Sequence, residues 1–288
     1  MNNRPILGCA LNLSEGRRLE VVDLVVAAAR PAAVADVSPD PDHNRTVVTL
    51  LGPPGDLVDA VVRLTAAGLQ HIDLTSHQGV HPRLGAVDVV PFYPLRSASM
   101  DEAVAAAIEC AGRLWGELAL PSFLYEEAAA LDHARALPWI RKHAFVDLVP
   151  DLGGPGPHPT GGAAVVGARG LLVAYNVNLD SADLQAARSI ATAIRRRFAG
   201  QVRTLGLFLG SRGTAQVSMN LLAPDSICLE EVYGAVEAEA NHAGVAVGGS
   251  EIVGLVPRAC FCSADESALK LRNKPEVLED VLDRLFAD

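Results

Sequence analysis

The sequence predicts an α/β (α+β) protein built from two βαββαβ subdomains, with mixed or antiparallel sheets and helices on the outer faces. Three observations predict this fold class. Short apolar runs of strand length alternate with stretches whose apolar residues recur at helical spacing. The order of these elements in the first half returns in the second half, and half of the 288 residues are hydrophobic. A chain of this length and composition can bury a sizeable core.

The first half reads as strand, helix, strand, strand, helix, strand. Its predicted strands are residues 5–13, 32–37, 45–51 and 71–74, and its helices are marked by the apolar positions Leu19, Val22, Val25 and Ala29 and then Leu57, Val61 and Leu64. This order closes most easily as an antiparallel sheet with both helices on one face, the split βαβ or ferredoxin-like arrangement. A strand at 88–94, a helix opened by the capping box Ser99-x-x-Glu102 and a strand at 121–125 extend this half.

The second half repeats the same order of strands and helices. Its predicted strands are residues 171–178, 202–209, 213–221 and 245–250, and its helices follow the apolar stripes Leu184, Ala187, Ala191, Ile194 and Phe198 and then Leu229, Val232, Val236 and Ala240. A Gly- and Pro-rich stretch, residues 153–162, lies between the two patterns. We therefore predict an N-terminal subdomain of residues 1–169 and a C-terminal subdomain of residues 170–288.

Composition excludes several classes of protein. The formal net charge of −10 argues against a nucleic-acid partner, which requires an excess of Lys and Arg to neutralise phosphates. No basic segment followed by a long apolar stretch opens the sequence, and no apolar run is long enough to span a membrane, so we expect a cytoplasmic protein with no membrane contact. The five scattered cysteines do not resemble a disulfide framework, and we expect them to be reduced.

The densest group of chemically active residues lies in the segment 77–88. His81 is a candidate general base, because an unperturbed imidazole titrates near neutral pH. His77 and His81 have HxxxH spacing, but Gly79 and Pro82 oppose the helix that would align two imidazoles on a metal, so we predict no metal site. No GxSxG motif is present to suggest a serine hydrolase.

Three other regions contain candidate binding residues. The turn-rich loop 36–45 places Asn44 and Arg45 at the start of a strand, although its aspartates are also typical of local turn hydrogen bonds. Strand alternation puts polar groups on one face of the second sheet, which either binds a ligand or is simply hydrated. These groups are Asn176, Asn178, Thr214, Gln216, Ser218 and Asn220. By composition, the Gly- and Pro-rich stretch 153–162 is equally typical of a flexible linker and of a binding loop.

Several blocks in order along the chain resemble the formiminotransferase family. They are Asn12-Leu13-Ser14-Glu15-Gly16, Asp42-His43-Asn44-Arg45-Thr46-Val47, His81-Pro82-Arg83-Leu84-Gly85-Ala86-Val87-Asp88, His158-Pro159-Thr160-Gly161, Val166-Gly167-Ala168-Arg169, Tyr175-Asn176-Val177-Asn178-Leu179, Ala215-Gln216-Val217-Ser218-Met219-Asn220 and Gly249-Ser250-Glu251-Ile252-Val253-Gly254-Leu255-Val256-Pro257. The resemblance covers roughly residues 6–260. It is to the glutamate formiminotransferases, in a stand-alone form without the cyclodeaminase domain fused to some relatives.

The resemblance implies an enzyme of one-carbon metabolism and histidine degradation, with two subdomains that bind ligand in the cleft between them, acting as a homodimer. Its reaction is transfer of a formimino group from N-formimino-L-glutamate to N5 of tetrahydrofolate, which is a co-substrate, without a metal. By resemblance His81 takes the place of the catalytic histidine. The matching folate-binding loop consists of Gly153, Gly154, Pro155, Gly156, Pro157, His158, Pro159, Thr160, Gly161 and Gly162. We assign substrate binding to Ser38, Asn44, Arg45, Arg83, Asn176, Asn178, Gln216 and Asn220.

The chain also departs from the family pattern. Val80 stands where a glutamate usually precedes the catalytic histidine, Gln78 replaces a basic residue, and Ser38 stands where some relatives carry an acid. The region before Asp151 is about nine residues shorter than in the family. Two alternatives therefore stay open: a folate-dependent one-carbon transferase with another donor or acceptor, and a non-catalytic folate-binding protein.

Overall fold

The computed structural model describes residues 4–79, 82–130, 136–262 and 266–287. The chain divides into two compact units, residues 1–170 and residues 171–287. Within the described part of the chain, none of the helices has the length and apolar character needed to cross a membrane.

The first unit contains a six-stranded sheet in the order β2-β3-β1-β4-β6-β5. Its elements are β1 (Leu7–Leu13), α1 (Leu19–Ala27), β2 (Ala33–Asp40), β3 (Arg45–Gly52), α2 (Pro54–His71), β4 (Val89–Pro94), α3 (Met100–Leu118), β5 (Ser122–Glu126), α4 (Leu137–His143) and β6 (Ala164–Ala168). The antiparallel strands β2, β3, β1 and β4 form the predicted split βαβ sheet. Strands β6 and β5 then extend it in parallel.

The predicted fourth strand was misplaced. Residues 71–74 are not a strand, because α2 continues to His71 and Ile72 is its C-terminal cap. The backbone then turns at Asp73, whose carboxylate accepts hydrogen bonds from the backbone N–H of Thr75 at 2.9 Å and from its hydroxyl at 2.7 Å. An aspartate that captures the backbone two residues on favours a turn over a strand. The strand that completes the βαββαβ unit is β4.

Most of the hydrophobic core of the first unit lies between its sheet and helices α1, α2 and α3. Helix α3 begins with the predicted capping box, in which the Ser99 hydroxyl accepts from Glu102 N–H and the Glu102 carboxylate accepts from Ser99 N–H. Helix α4 packs Ile140 into a separate cluster with Val89, Phe123 and Val165. The three strand residues, Val89, Phe123 and Val165, alternate with residues of the main core along their strands, so α4 covers part of the opposite sheet face.

The second unit contains a four-stranded antiparallel sheet in the order β10-β7-β9-β8. Its elements are β7 (Val173–Leu179), α5 (Leu184–Arg197), β8 (Val202–Leu209), β9 (Thr214–Leu221), α6 (Leu229–His242), β10 (Val247–Val253), β11 (Leu255–Val256), β12 (Glu276–Val277) and α7 (Leu278–Leu285). This is a second βαββαβ unit, and the predicted fold class is confirmed. The apolar residues of β9, which are Ala215, Val217, Met219 and Leu221, pack into the core with α5 and α6.

The expectation that all cysteines are reduced is wrong for one pair. Cys228, at the start of α6, is bonded to Cys262, with a Cα–Cα distance of 5.7 Å. Cys9, Cys110 and Cys260 are free and buried. The partners are 34 residues apart, so spacing alone did not indicate them. They meet because the chain after β11 returns to the loop before α6, where the Cys260 thiol lies 3.3 Å from the Pro224 carbonyl oxygen.

We predict that reducing the Cys228–Cys262 bond lowers the free energy of unfolding by about 3–4 kcal/mol. In the chain-entropy model, a cross-link over about 34 residues removes that much conformational freedom from the unfolded chain. Urea denaturation of the oxidised protein with and without dithiothreitol measures the difference. The double variant Cys228→Ser/Cys262→Ser is the control, since dithiothreitol should leave its midpoint unchanged. An oxidised wild-type protein that is equally insensitive would contradict the prediction.

Candidate active site

The loop between β2 and β3 is organised by Asp40. Its carboxylate accepts hydrogen bonds from the backbone N–H groups of Asp42 at 2.8 Å and His43 at 2.9 Å, and its other oxygen lies 2.7 Å from His43 Nδ1. Burial opposes ionisation of Asp40, but the hydrogen bonds from His43 and Asp42 hold its pKa below the ordinary value. Asp40 therefore shapes the turn, as the local-turn interpretation of the sequence predicted.

Asn44 joins three segments of the first unit. Its side-chain oxygen accepts from Gly16 N–H at 3.0 Å, and its side-chain nitrogen donates to the Gln78 carbonyl at 2.9 Å. Asn44 itself has a positive φ of 47°, a conformation that Asn tolerates better than most residues. A Cβ at Gly16 would lie 2.6 Å from Arg45 N, so only glycine fits there. The Asn44 side-chain amide thus links the segment before α1, the loop before β3 and the start of the 77–88 segment.

Glu15 fixes the segment before α1. Its Oε1 accepts from the backbone N–H groups of Gly16, Arg17 and Arg18 at 3.0–3.1 Å, and its Oε2 accepts from Arg18 Nε at 2.6 Å. Burial opposes ionisation, but the bonds from Arg18 and Arg17 lower the pKa of Glu15. The sequence placed Glu15 in a family block without assigning it a role.

Arg83 connects the 77–88 segment to the loop before β3. Its Nη2 donates to the His43 carbonyl at 3.2 Å, and its Nη1 lies 2.6 Å from both ring nitrogens of His77. Because a guanidinium has only donors, Nη1 donates to whichever of the two ring nitrogens is unprotonated. Burial and the positive charge of Arg83 both lower the pKa of His77. Arg83 therefore holds backbone and a neutral imidazole in place.

Asp88 is a buried acid whose two carboxylate oxygens are both engaged. Its side chain is 2% exposed, its Oδ1 accepts from the backbone N–H of Leu84 at 2.6 Å, and its Oδ2 lies 2.6 Å from Arg141 Nη2 on α4. The sequence singled out Asp88 but missed Arg141, which lies 53 residues away in a short helix without a motif. The pair ties α4 to the turn that carries Arg83.

Positive charge predominates around Asp88. Arg45 donates from Nε to the Asn12 side-chain oxygen at 2.8 Å. Burial lowers the pKa of Arg45 to about 10; the Asp88 carboxylate opposes this, and the charges of Arg141 and Arg83 add to it. The cluster formed by Arg45, Arg83, Arg141 and Asp88 contains three guanidiniums and one carboxylate and is therefore net positive; the Asp40 carboxylate also acts on Arg45. Such a cluster suits a carboxylate-bearing ligand.

The segment 153–162 lies inside the first unit, and its second half is fixed rather than a flexible linker. His158 and Gly162 exchange backbone hydrogen bonds at 2.8 and 3.0 Å, and His158 Nδ1 accepts from Gly161 N–H at 2.9 Å. The Thr160 carbonyl accepts from Leu74 N–H, also at 2.9 Å. Gly162 has a φ of 68°, and a Cβ there would overlap the Leu84 carbonyl. Pro155, Gly156 and Pro157 are exposed.

The polar face of the second sheet contains a connected group of side chains. Gln216 Nε2 donates to Asn178 Oδ1 and to Glu251 Oε1, both at 3.0 Å, and Asn176 Nδ2 donates to the same Glu251 oxygen at 3.3 Å. Arg212 Nη1 donates to Glu251 Oε2 at 3.1 Å. Strand alternation had predicted the three amides on one face; Glu251 on β10 was not among the predicted site residues.

Two atoms of this group are buried without a partner among the described residues, Asn178 Nδ2 and Gln216 Oε1. Asn178 is 1% exposed and Gln216 0%. A buried polar group left unsatisfied costs about 1–3 kcal/mol, and such groups are rare enough in folded proteins to need a reason. Ligand binding to this face would supply one.

The remaining candidates are placed as follows. His81 and its neighbour Val80 lie outside the described residues. Ser38, on β2, donates to Asp36 Oδ2 at 2.8 Å. Asn220 is exposed near the end of β9, where it pairs with Ala174. For metals, the described part of the chain brings together Cys228, Glu230 and Cys262, whose two sulfurs form the disulfide.

We predict that Arg141→Met lowers the free energy of unfolding by about 3 kcal/mol at pH 7. Removing one partner of a buried ion pair leaves the other charge buried and uncompensated, which typically costs about 3–5 kcal/mol. Urea denaturation measures the loss. The control is Arg113→Met, which breaks the Arg113–Asp59 pair, whose side chains are 31% and 50% exposed. Exposed pairs contribute about 1 kcal/mol or less, so equal losses in the two variants would contradict the role of Asp88.

Comparison with known proteins agrees with the blocks noted in the sequence. A family model described as "Formiminotransferase domain, N-terminal subdomain" matches residues 6–169, and one described as "Formiminotransferase domain" matches residues 174–283. The two matches fall on the two compact units.

Relatives that match nearly the whole of this chain carry related names. The chain is 36% identical over 282 residues to a protein named glutamate formimidoyltransferase from Streptococcus pyogenes serotype M1, covering 93% of this chain and 94% of that protein. A protein of the same name from Thermoplasma acidophilum is 35% identical over 287 residues, covering 94% of each chain. A formimidoyltransferase-cyclodeaminase from Rattus norvegicus is 36% identical over 308 residues, which are 98% of this chain and 57% of the rat protein.

Proposed function

The chain belongs to the formiminotransferase family, and on that premise we propose that it transfers a formimino group from N-formimino-L-glutamate to N5 of tetrahydrofolate. It is a transferase. The observation that carries the proposal is the match of both units, and of 94% of the streptococcal relative, without a long unmatched region. The names of these relatives state that a formimidoyl group is transferred, and they name glutamate as a reactant.

The reaction requires a proton to be moved twice. The N5 amine attacks the amidine carbon of the donor and forms a tetrahedral intermediate, after which the C–N bond to glutamate breaks. One group that removes the amine proton and returns it to the departing nitrogen serves both steps. We assign this role to His81, next to Pro82 and Arg83, because an imidazole titrates near the working pH.

Carboxylate binding falls to the positive cluster of the first unit. The donor carries two carboxylates at neutral pH, and within this cluster Arg45, Arg83 and Arg141 outnumber the carboxylate of Asp88. The planar guanidinium fork binds carboxylates in a defined orientation. Asn44 and Ser38, on the loop and strand before Arg45, are the polar groups that we assign to the same ligand.

Folate binding falls to the segment 153–162 and to the polar face of the second sheet. The exposed residues Pro155–Pro157 directly precede a turn whose conformation is fixed by the His158–Gly162 hydrogen bonds. On the second sheet, Asn176, Asn178 and Gln216 supply amide groups suited to the hydrogen-bonding edge of a pterin, and Asn220 is the outlying fourth residue of this set. Tetrahydrofolate acts as co-substrate.

Three further properties complete the proposal and come from the family resemblance: a homodimer, a cytoplasmic location and a reaction that requires no metal. Sedimentation equilibrium at micromolar concentration measures the first property. Activity after exhaustive dialysis against a chelator measures the last one.

A second candidate function has support from two residues. Gln78 and Val80 stand where the family usually has a basic and an acidic residue, next to the proposed catalytic histidine. A non-catalytic folate-binding protein, or a transferase with another donor, would tolerate these changes. Calorimetric titration with folate together with turnover assays on several one-carbon donors separates these cases from the first. The non-catalytic protein binds folate but turns over no donor, and the alternative transferase turns over a donor other than N-formimino-L-glutamate.

We predict that His81→Ala lowers kcat by about 10²–10⁴-fold, the usual contribution of a general acid–base group. The KM for N-formimino-L-glutamate should change little, because the carboxylate-binding arginines remain. The absorbance of 5-formimino-tetrahydrofolate follows the reaction. The control is His242→Ala, which removes an exposed histidine at the end of α6 and should keep wild-type turnover. Full turnover in His81→Ala would remove the assignment.

A further inference from the structure

We propose that Glu251 is a specificity-determining positioning residue, which orients the Gln216 and Asn178 amides so that this face accepts a planar cyclic amide. The inference rests on the proposed function only for the identity of the ligand. It begins from the two orphaned atoms of the polar face, Asn178 Nδ2 and Gln216 Oε1.

The strand register brings the side chains together. Glu251 on β10 pairs with Asn176 on β7, which pairs with Ser218 on β9. In the adjacent row, Asn178 lies between Gly249 and Gln216. Since side chains two residues apart on a strand share a face, both rows point to the same side of the sheet. Gly249 has no side chain, and the Arg272 side chain and the Lys270 carbonyl lie beside it.

The Glu251 carboxylate determines which way the amides point. An ionised carboxylate only accepts hydrogen bonds, and Glu251 Oε1 lies 3.0 Å from the Gln216 amide. The NH₂ group of Gln216 must therefore face Glu251, and its oxygen must face away. That same NH₂ group donates to Asn178 Oδ1 at 3.0 Å, so the NH₂ group of Asn178 is also turned away.

The result is a fixed pattern of one acceptor and one donor, Gln216 Oε1 and Asn178 Nδ2, each buried and without a partner among the described residues. A ring that carries a carbonyl beside an N–H complements this pattern, because the carbonyl accepts from Asn178 and the N–H donates to Gln216. Cyclic amides have this edge. Under the proposed function, the ligand is the 4-oxo, N3–H edge of the pterin ring of folate.

This geometry predicts discrimination between two closely related ligands. A 2,4-diaminopteridine has an NH₂ group in place of the 4-oxo group, so that it would place a donor against the Asn178 donor. Sites built to hydrogen-bond a polar group reject analogues that leave their own groups unpaired. We expect the wild-type protein to bind folic acid at least about tenfold more tightly than its 4-amino analogue, a difference of about 1.4 kcal/mol.

The variant Glu251→Gln tests the positioning role. A glutamine at 251 presents either oxygen or NH₂ to Gln216, so the two amides are free to turn and the preference for the 4-oxo ring should fall to near onefold. A merely structural residue would change both affinities together and keep their ratio. The control is Glu237→Gln on α6, whose carboxylate lies near Lys270, and it should keep the wild-type ratio.

The experiment is calorimetric titration of the full chain, as wild type, Glu251→Gln and Glu237→Gln, with folic acid and with its 4-amino analogue. The inference is supported if the ratio of the two affinities falls to near one in Glu251→Gln and in neither of the other two proteins. The inference is overturned if Glu251→Gln keeps the wild-type ratio, or if the wild-type protein binds both compounds equally well.

A second measurement separates the inference from the proposed function. In the ligand-free protein, the side-chain NH₂ resonances of Gln216 and Asn178, assigned with Gln216→Glu and Asn178→Asp, should move in Glu251→Gln and stay in place in Glu237→Gln. If the protein binds neither compound, the folate proposal fails, while these resonances still decide the role of Glu251. Unmoved resonances would overturn it.

Discussion

The candidate site of the first unit depends on the buried carboxylate of Asp88. It accepts hydrogen bonds from the turn at Leu84 and Gly85 and forms an ion pair with Arg141. These contacts join two segments, the turn before β4 and the short helix α4, to one carboxylate. A buried charge is tolerated only when its oxygens are all engaged, so Asp88 requires these segments to keep their places. Arg83 and the loop before β3 are then positioned from this turn.

The same carboxylate sets the electrostatics of the site. Without Asp88, the guanidiniums of Arg45, Arg83 and Arg141 would repel one another in a partly buried region. The negative charge of Asp88 reduces the repulsion among the three guanidiniums but leaves the cluster with a net positive charge. An anionic substrate completes the charge balance, which is consistent with a donor that carries two carboxylates. The second unit differs in kind, because its polar face combines neutral amides with one carboxylate and is suited to a neutral heterocycle.

Local patterns predicted most of the fold. The repeated βαββαβ order, the capping box at Ser99 and the alternation along β9 all follow from short-range periodicity, and each was found in the structure. The error at residues 71–74 also has a local cause, since a short apolar run at a helix end resembles a strand until Asp73 is recognised as a turn residue. Long-range pairings left no such trace. Arg141 and the Cys228–Cys262 bond depend on tertiary contacts 53 and 34 residues apart, and Glu251 needs the register of three strands.

The central claim is that this chain moves a formimino carbon from glutamate to folate. Its most direct test uses N-formimino-L-glutamate labelled with ¹³C in the formimino carbon, mixed with tetrahydrofolate and purified protein, and followed by NMR. We expect the labelled carbon to move to N5 of tetrahydrofolate while one glutamate is released for each carbon transferred. Label that stays on the donor, in a sample shown by titration to bind both compounds, would contradict it.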